Sequence, residues 1–244
     1  MSTDRGSEGW HRRFQQLPPG ERPPAILSAL GAASDAELVW RNELGGQTWR
    51  LGDRYLKWSP DAAGIDLCRE VDRLRWLHGR HPAPTLLDEG HDGGGRWFVT
   101  AALPGTSAVS GRWRDEPETA VRAIAEGLRR LHALDPSDLP EDWTSWASRR
   151  PRGLEPSPEP GMRVVVHGDA CAPNTLLAPG GAFAAIVDVG DLVLGDPWAD
   201  LAVASMSLGW NYGPGWEPLF FDAYGVVPDP ARLAWFRRLW DAES

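Results

Sequence analysis

The densest run of reactive side chains is His167-Gly168-Asp169-Ala170-Cys171-Ala172-Pro173-Asn174, which directly follows the apolar stretch Val164-Val165-Val166. A further carboxylate, Asp188, ends the run Phe183 to Val187. Pro179-Gly180-Gly181 is a turn signal between two short β-prone runs, so residues 174–177 and 183–188 predict a hairpin. Such a hairpin brings Asn174 close to Asp188. Together they offer oxygen ligands suited to a hard cation that keeps its waters, such as Mg²⁺. Asp169, leaving the end of the preceding strand, is then available to orient and deprotonate an attacking hydroxyl. Metal ligands on one side and a base on the other is the division of labour in phosphoryl transfer. Asp and Asn taken singly are common as turn and capping residues; the set at this spacing carries the reading.

Cationic chemistry has one conspicuous candidate. Of 25 basic residues, 24 are Arg and only Lys57 is Lys. A lysine kept in so arginine-rich a chain suggests a position where a compact point charge is wanted. Glu70 lies on the apolar seam of a helix predicted over residues 66–77, with Leu67, Val71, Leu74 and Leu77 on the same stripe. A carboxylate there requires a partner.

The elements that must position these groups fall into two parts. Leu38-Val39-Trp40, Thr48-Trp49-Arg50-Leu51 and Tyr55-Leu56-Lys57-Trp58 read as a meander, with turns at Gly45-Gly46 and Gly52-Asp53. After the helix over 66–77, residues 85–103 read as two strands around His91-Asp92-Gly93-Gly94-Gly95. Beyond Pro104 the chain turns helical. Pro117 fits a first helical position, followed by Val121, Ile124, Leu128 and Leu131 at helical spacing. Residues 151–161 read as a linker loop, and the part after the hairpin is expected to be mainly helix. Residues 1–35, rich in Pro, Gly and charge, read as a partly mobile end with a short helix. The expectation is an α+β protein in two lobes, 1–103 binding nucleotide and 104–244 carrying catalysis and substrate.

His167-Gly168-Asp169-x-x-x-x-Asn174, then Asp188-x-Gly190, then Gly195-Asp196-Pro197-Trp198-Ala199-Asp200-Leu201-Ala202 resembles the signature of the aminoglycoside phosphotransferases. Tyr55-Leu56-Lys57 is similar to that family's strand with a phosphate-binding lysine. Arg69-Glu70-Val71-Asp72 is similar to the segment whose Glu pairs with the lysine, and Phe220 to Asp229 resembles the 3′-phosphotransferase branch. The resemblance implies a protein-kinase-like fold and a small-molecule kinase using ATP or GTP with Mg²⁺. It implies Asp169 as base and Asn174 and Asp188 as metal ligands. Lys57, positioned by Glu70, would hold phosphates, Gly45 and Gly46 would form the loop over them, and Tyr55 would stack on the nucleotide base. Thr100, Ala101 and Leu103 would supply the hinge, with the Ala101 carbonyl and the Leu103 amide facing that base. Asp196 and Asp200 would brace the catalytic segment. Substrate contacts would fall to Asp169, Asp191, Asp241 and the terminal carboxylate of Ser244. The chain departs from the pattern in having Asp191 where the family usually has Arg, and in a shorter connection from His132 to His167.

Bulk properties agree with this. A 244-residue chain can bury a substantial core, and no apolar run approaches a membrane span. Two cysteines, Cys68 and Cys171, are too few for a disulfide framework. A cytoplasmic monomer or weak dimer is expected. Residues 1–103 are net −1 and residues 104–244 net −8, which argues against nucleic acid and permits a cationic substrate. The same machinery could serve a macrolide, a peptide antibiotic or a choline-like amine, and a nucleotide-binding pseudokinase is the non-enzymatic alternative. Trp76, Trp97 and Trp235 read as core. Trp143 and Trp146 read as either core or a ligand wall, and His132 and the His167 ring as structural hydrogen-bonders.

Overall fold

The first sheet has its most buried strand in β5, with four consecutive buried residues, and a buried alternate face in β2. Strands β1 (Glu37–Arg41), β2 (Gln47–Leu51), β3 (Arg54–Pro60), β4 (Leu86–His91) and β5 (Gly95–Ala101) pair antiparallel in the order β1-β2-β3-β5-β4. A computed structural model describes residues 16–18, 21–32, 34–151, 153, 154, 158 and 161–243, without the side chain of Glu243. The described residues up to Val71, together with Pro84–Ala102, form one unit; Asp72–Ala83 and those from Leu103 onward form the other. In the first unit Trp49, Leu51, Leu56, Trp97 and Val99 close over Ile26 and Leu27 of a short helix, α1 (Ala25–Ala29). Among the described residues Ser59 Oγ and Trp97 Nε1 are buried there without a hydrogen-bond partner, while the polar groups around Gln47 are paired. Trp49 Nε1 donates to Gln47 Oε1 at 2.9 Å, and Gln47 Nε2 donates to Glu21 Oε1 at 2.8 Å. Helix α2 (Leu67–Leu77) carries residues of both units. Of the expectation for residues 1–35, the stretch 1–15 lies outside the described residues.

In the second unit the helices α3 (Gly111–Asp115), α4 (Pro117–His132), α5 (Pro197–Tyr212), α6 (Glu217–Tyr224) and α7 (Pro230–Glu243) surround two small sheets. One sheet is β6 (Thr106–Ser107), β8 (Thr175–Leu177) and β9 (Phe183–Ile186); the other is β7 (Val164–Val166) with β10 (Val193–Gly195). Helix α5 is buried nearly all round, with Ala199, Leu201, Ala202, Val203, Ala204 and Leu208 in the core. Its start is set by Asp196, whose Oδ1 accepts from Trp198 N at 3.0 Å, and by Pro197 at the first helical position. The region after the hairpin is mainly helix, as expected, with the short strand β10 added to it. Three residues carry no readable period, and the strand exists because β7 supplies its partner. Trp97 and Trp235 are core as expected. Trp76 is only half-buried, its indole donating to Asp138 while Arg80 lies over the ring.

His81 is buried against the Phe183 ring, and among the described residues its Nε2 has no hydrogen-bond partner. Burial, followed by the charges of His167, Arg130 and His132, lowers its pKa from 6.5 to about 4. Folding therefore favours the neutral ring, and the unfolded chain binds the extra proton between these two values. The contribution is complete above pH 6.5 and disappears as pH falls to about 4, a swing of about 3 kcal/mol. Thermal melting across that window is expected to fall more steeply in the wild type than in His81→Leu. Parallel curves would assign the acid sensitivity to other groups.

Candidate active site

Lys57 projects from β3, where it faces Phe98 of β5. Its ammonium donates to both oxygens of Glu70, at 2.9 Å and 2.7 Å. Glu70 is 7% exposed, so its charge on the apolar side of α2 is answered by the chain's one lysine. Tyr55, half-buried on the same strand, is opposite Thr100. Ala101 N donates to Thr85 O at 3.0 Å and Ala102 N to Asp53 O at 2.8 Å, fixing the backbone where the sheet ends. Leu103 follows outside the strand. At the β1–β2 turn, Gly46 N donates to Asn42 Oδ1 at 2.7 Å, and Gly45 has φ 91°. A Cβ on Gly46 would lie 2.6 Å from Asn42 Nδ2, so a larger residue there would have to displace the Asn42 side chain that holds the turn.

In the second unit, β7 delivers His167, Gly168 and Asp169 into a loop held from several sides. His167 Nε2 donates to Val187 O at 3.0 Å, and its Nδ1 accepts from Asp169 N at 3.2 Å. Gly168 adopts φ 81°, and a Cβ there would lie 2.3 Å from Asp191 O. Only glycine lets these two loops approach so closely. Asn174 Nδ2 donates to Asp169 O and to Asp169 Oδ2, both at 2.9 Å, and neither bond uses its Oδ1. Val187 N donates to Asn174 O at 2.9 Å, bringing the start of Asp188 alongside Asn174, as the predicted hairpin requires. Asp188 is exposed and has φ 61°, the one positive φ among the described non-glycine residues. Strain of this kind collects where a side chain must be aimed.

The electrostatics distinguish the carboxylates. Burial, followed by the neighbouring Asp188 charge, pushes the Asp169 pKa up. A carboxyl raised in this way is a better proton acceptor than an ordinary one. Asp200, 0% exposed in the first turn of α5, behaves oppositely. Burial pushes its carboxyl up, but hydrogen bonds and charge from His132 and His167 outweigh it and hold the pKa below the usual range. Its Oδ2 accepts from His167 N at 2.6 Å and from His132 Nε2 at 3.0 Å, and its Oδ1 accepts from Gly168 N at 2.9 Å. His132 Nδ1 in turn accepts from the Tyr224 hydroxyl at 2.8 Å, which fixes the tautomer.

Two supports of this loop went unread in the sequence. Arg73, 2% exposed, donates from Nε to Leu192 O at 2.9 Å, steadying the stretch beyond Asp188, and its guanidinium lies 4.5 Å from the Trp143 ring centre. Its signal was the row Glu70, Arg73, Leu77, which borders the apolar stripe of α2. The buried Trp146 donates from its indole to Gly168 O and packs edge-on against Trp240. It is therefore core, not a ligand wall, and nothing in its local sequence announced the bond. Asp191 is half-buried with its backbone against Gly168, and Asp241 is exposed near the end of α7. Ser244 lies outside the described residues.

The chain matches the phosphotransferase enzyme family over residues 28–155 and 146–236. It belongs to this family. Among curated relatives, an aminoglycoside 3′-phosphotransferase of Streptomyces ribosidificus is 34% identical, covering 74% of this chain and 82% of that one. The streptomycin 3″-kinase of Streptomyces griseus is 30% identical, covering 89% and 96%. A solved aminoglycoside phosphotransferase of Streptomyces rimosus, in complex with ADP and streptomycin, shares 26% identity with a TM-score of 0.69, covering 88% of this chain and 94% of that chain. A type VIII aminoglycoside-3′-phosphotransferase shares 27% with a TM-score of 0.71, covering 88% and 97%. The fold is thus the α+β kinase-like fold of these enzymes, and the chain is a small-molecule kinase. Among the described residues no helix is long and apolar enough to cross a membrane.

Proposed function

We propose that the chain transfers the γ-phosphoryl group of ATP or GTP to a hydroxyl of an aminoglycoside antibiotic. The observation that carries this is Asp169, half-buried with a raised pKa and hydrogen-bonded by Asn174, in a chain 30–34% identical to aminoglycoside kinases. Lys57, held by Glu70, takes the nucleotide's phosphates under the Gly45-Gly46 loop. Tyr55 stacks on the base, and Thr100, Ala101 and Leu103 provide the backbone beside it. Asp169 accepts the hydroxyl's proton as the oxygen attacks. Asp191 and Asp241 meet the amines of the substrate, where partly shielded carboxylates are worth roughly 0.5–1 kcal/mol each.

The donor set suits Mg²⁺. Among the described residues no group of three or more His, Cys, Asp or Glu side chains could hold a metal. One amide oxygen and one carboxylate fit a cation that keeps waters and takes its other ligands from phosphate. Bound there, Mg²⁺ would neutralise charge on the phosphoryl oxygens. Asn174 and Asp188 would hold it, and Asn174 would keep Asp169 oriented. Asn174→Ala and Asp188→Ala are each expected to weaken nucleotide binding in Mg²⁺ by about tenfold or more while leaving the weaker binding in EDTA unchanged. Calorimetry reads both conditions, and wild-type Mg²⁺ dependence in both variants would refute the ligand assignment.

The function itself is tested in a susceptible host. Expression of the wild-type gene is expected to raise the inhibitory concentration of at least one aminoglycoside, and Asp169→Asn to abolish the effect. Protection against a macrolide or peptide antibiotic alone would move the substrate to another class.

A further inference from the structure

Asp200 is not the only grip that α5 has on the catalytic loop. Ser207 lies seven residues further along, on the same face of the helix two turns away, and it is fully buried. Its Oγ accepts from Ala172 N at 2.8 Å. Asn211, one turn on, donates from Nδ2 to Ser207 O at 2.8 Å and to Ser207 Oγ at 3.2 Å. The loop is therefore held at 167–168 by one end of α5 and at 172 by the other, and Asp169 sits between the two holds.

We infer that Ser207, braced by Asn211, is a positioning residue for the catalytic carboxylate, acting through the Ala172 amide. The inference rests on the role proposed above for Asp169. Losing the hold at 172 frees the loop on one side of Asp169 while leaving the phosphate-holding Lys57–Glu70 pair intact. The effect should then fall on the chemical step and spare nucleotide affinity.

The test compares Ser207→Ala, Ser207→Thr and Asn211→Ala by steady-state transfer to streptomycin, gentamicin and hygromycin B, with ATP affinity by calorimetry and thermal melting. Ser207→Ala is expected to lower kcat by about tenfold or more, the scale of a small misplacement of a reacting group, with ATP affinity within about twofold. Ser207→Thr, which restores the hydroxyl, is expected to recover kcat to within about threefold of wild type, and Asn211→Ala to lower it by about threefold. Unchanged kcat in both Ser207→Ala and Asn211→Ala would overturn the inference, as would a loss of kcat matched by an equal loss of ATP affinity and not recovered by Thr. If Ser207→Ala fails to fold, Asn211→Ala decides alone. If the wild type phosphorylates none of the three compounds, the substrate reading fails separately. The same ratios are then read on hydrolysis of ATP, where water takes the place of the hydroxyl before Asp169.

Discussion

Asp169→Asn is expected to lower kcat by about 10²- to 10⁴-fold, the usual scale for loss of a general base. The substitution keeps the size of the side chain and an oxygen to accept from Asn174 Nδ2, so the loop has little reason to rearrange. What is lost is the site that takes the proton. Stability should move the other way. Burial and the Asp188 charge raise the Asp169 pKa, so above that pKa the native state carries a carboxylate it would rather keep protonated. A neutral amide removes this strain, and the variant is expected to melt at or above the wild-type temperature, as when an active site trades stability for function. Steady-state kinetics with parallel calorimetry reads both effects. Turnover within about threefold of wild type would remove Asp169 from the chemistry.

Asp200→Ala is expected to have the largest effect on stability. Its carboxylate is fully buried and accepts from two backbone amides and one imidazole, at 2.6, 2.9 and 3.0 Å. Deleting it strands three buried donors, and breaking a buried charged network of this kind costs about 3–5 kcal/mol. Urea unfolding gives the value. The pH dependence has a definite sign. Because the folded-state pKa of Asp200 is depressed, its contribution is present above the ordinary carboxylate pKa and is lost as pH falls through the folded value. The gap between wild type and variant should therefore narrow towards low pH. A variant as stable as the wild type near neutrality would show that the loop is held by other means.

Much of this was legible before any coordinates. The meander, the helix with Glu70 on its apolar seam, and the Asn174–Asp188 hairpin all follow from local period and turn residues, and the structure has each of them. Lys57 and Glu70 each stood out as a lone charge, their pairing was implied by the family resemblance, and they form a bidentate pair. What escaped was non-local. Strand β10 is defined by a partner nearly thirty residues earlier in the chain. Arg73, Trp146 and Ser207 act on backbone atoms of Leu192, Gly168 and Ala172, and an acceptor or donor on the backbone has no sequence signature. The positive φ of Asp188 was equally silent, because Asp tolerates the left-handed region without advertising it.

The most direct test of the account is the fate of the γ-phosphoryl group. Purified protein with Mg²⁺, ATP or GTP and a set of aminoglycosides is followed by mass spectrometry and phosphorus NMR. The account predicts that at least one aminoglycoside gains a single phosphoryl group on a hydroxyl, with one nucleoside diphosphate formed per product, and that Asp169→Asn yields neither. Nucleoside diphosphate formed with no phosphorylated aminoglycoside, or full transfer by Asp169→Asn, would contradict it.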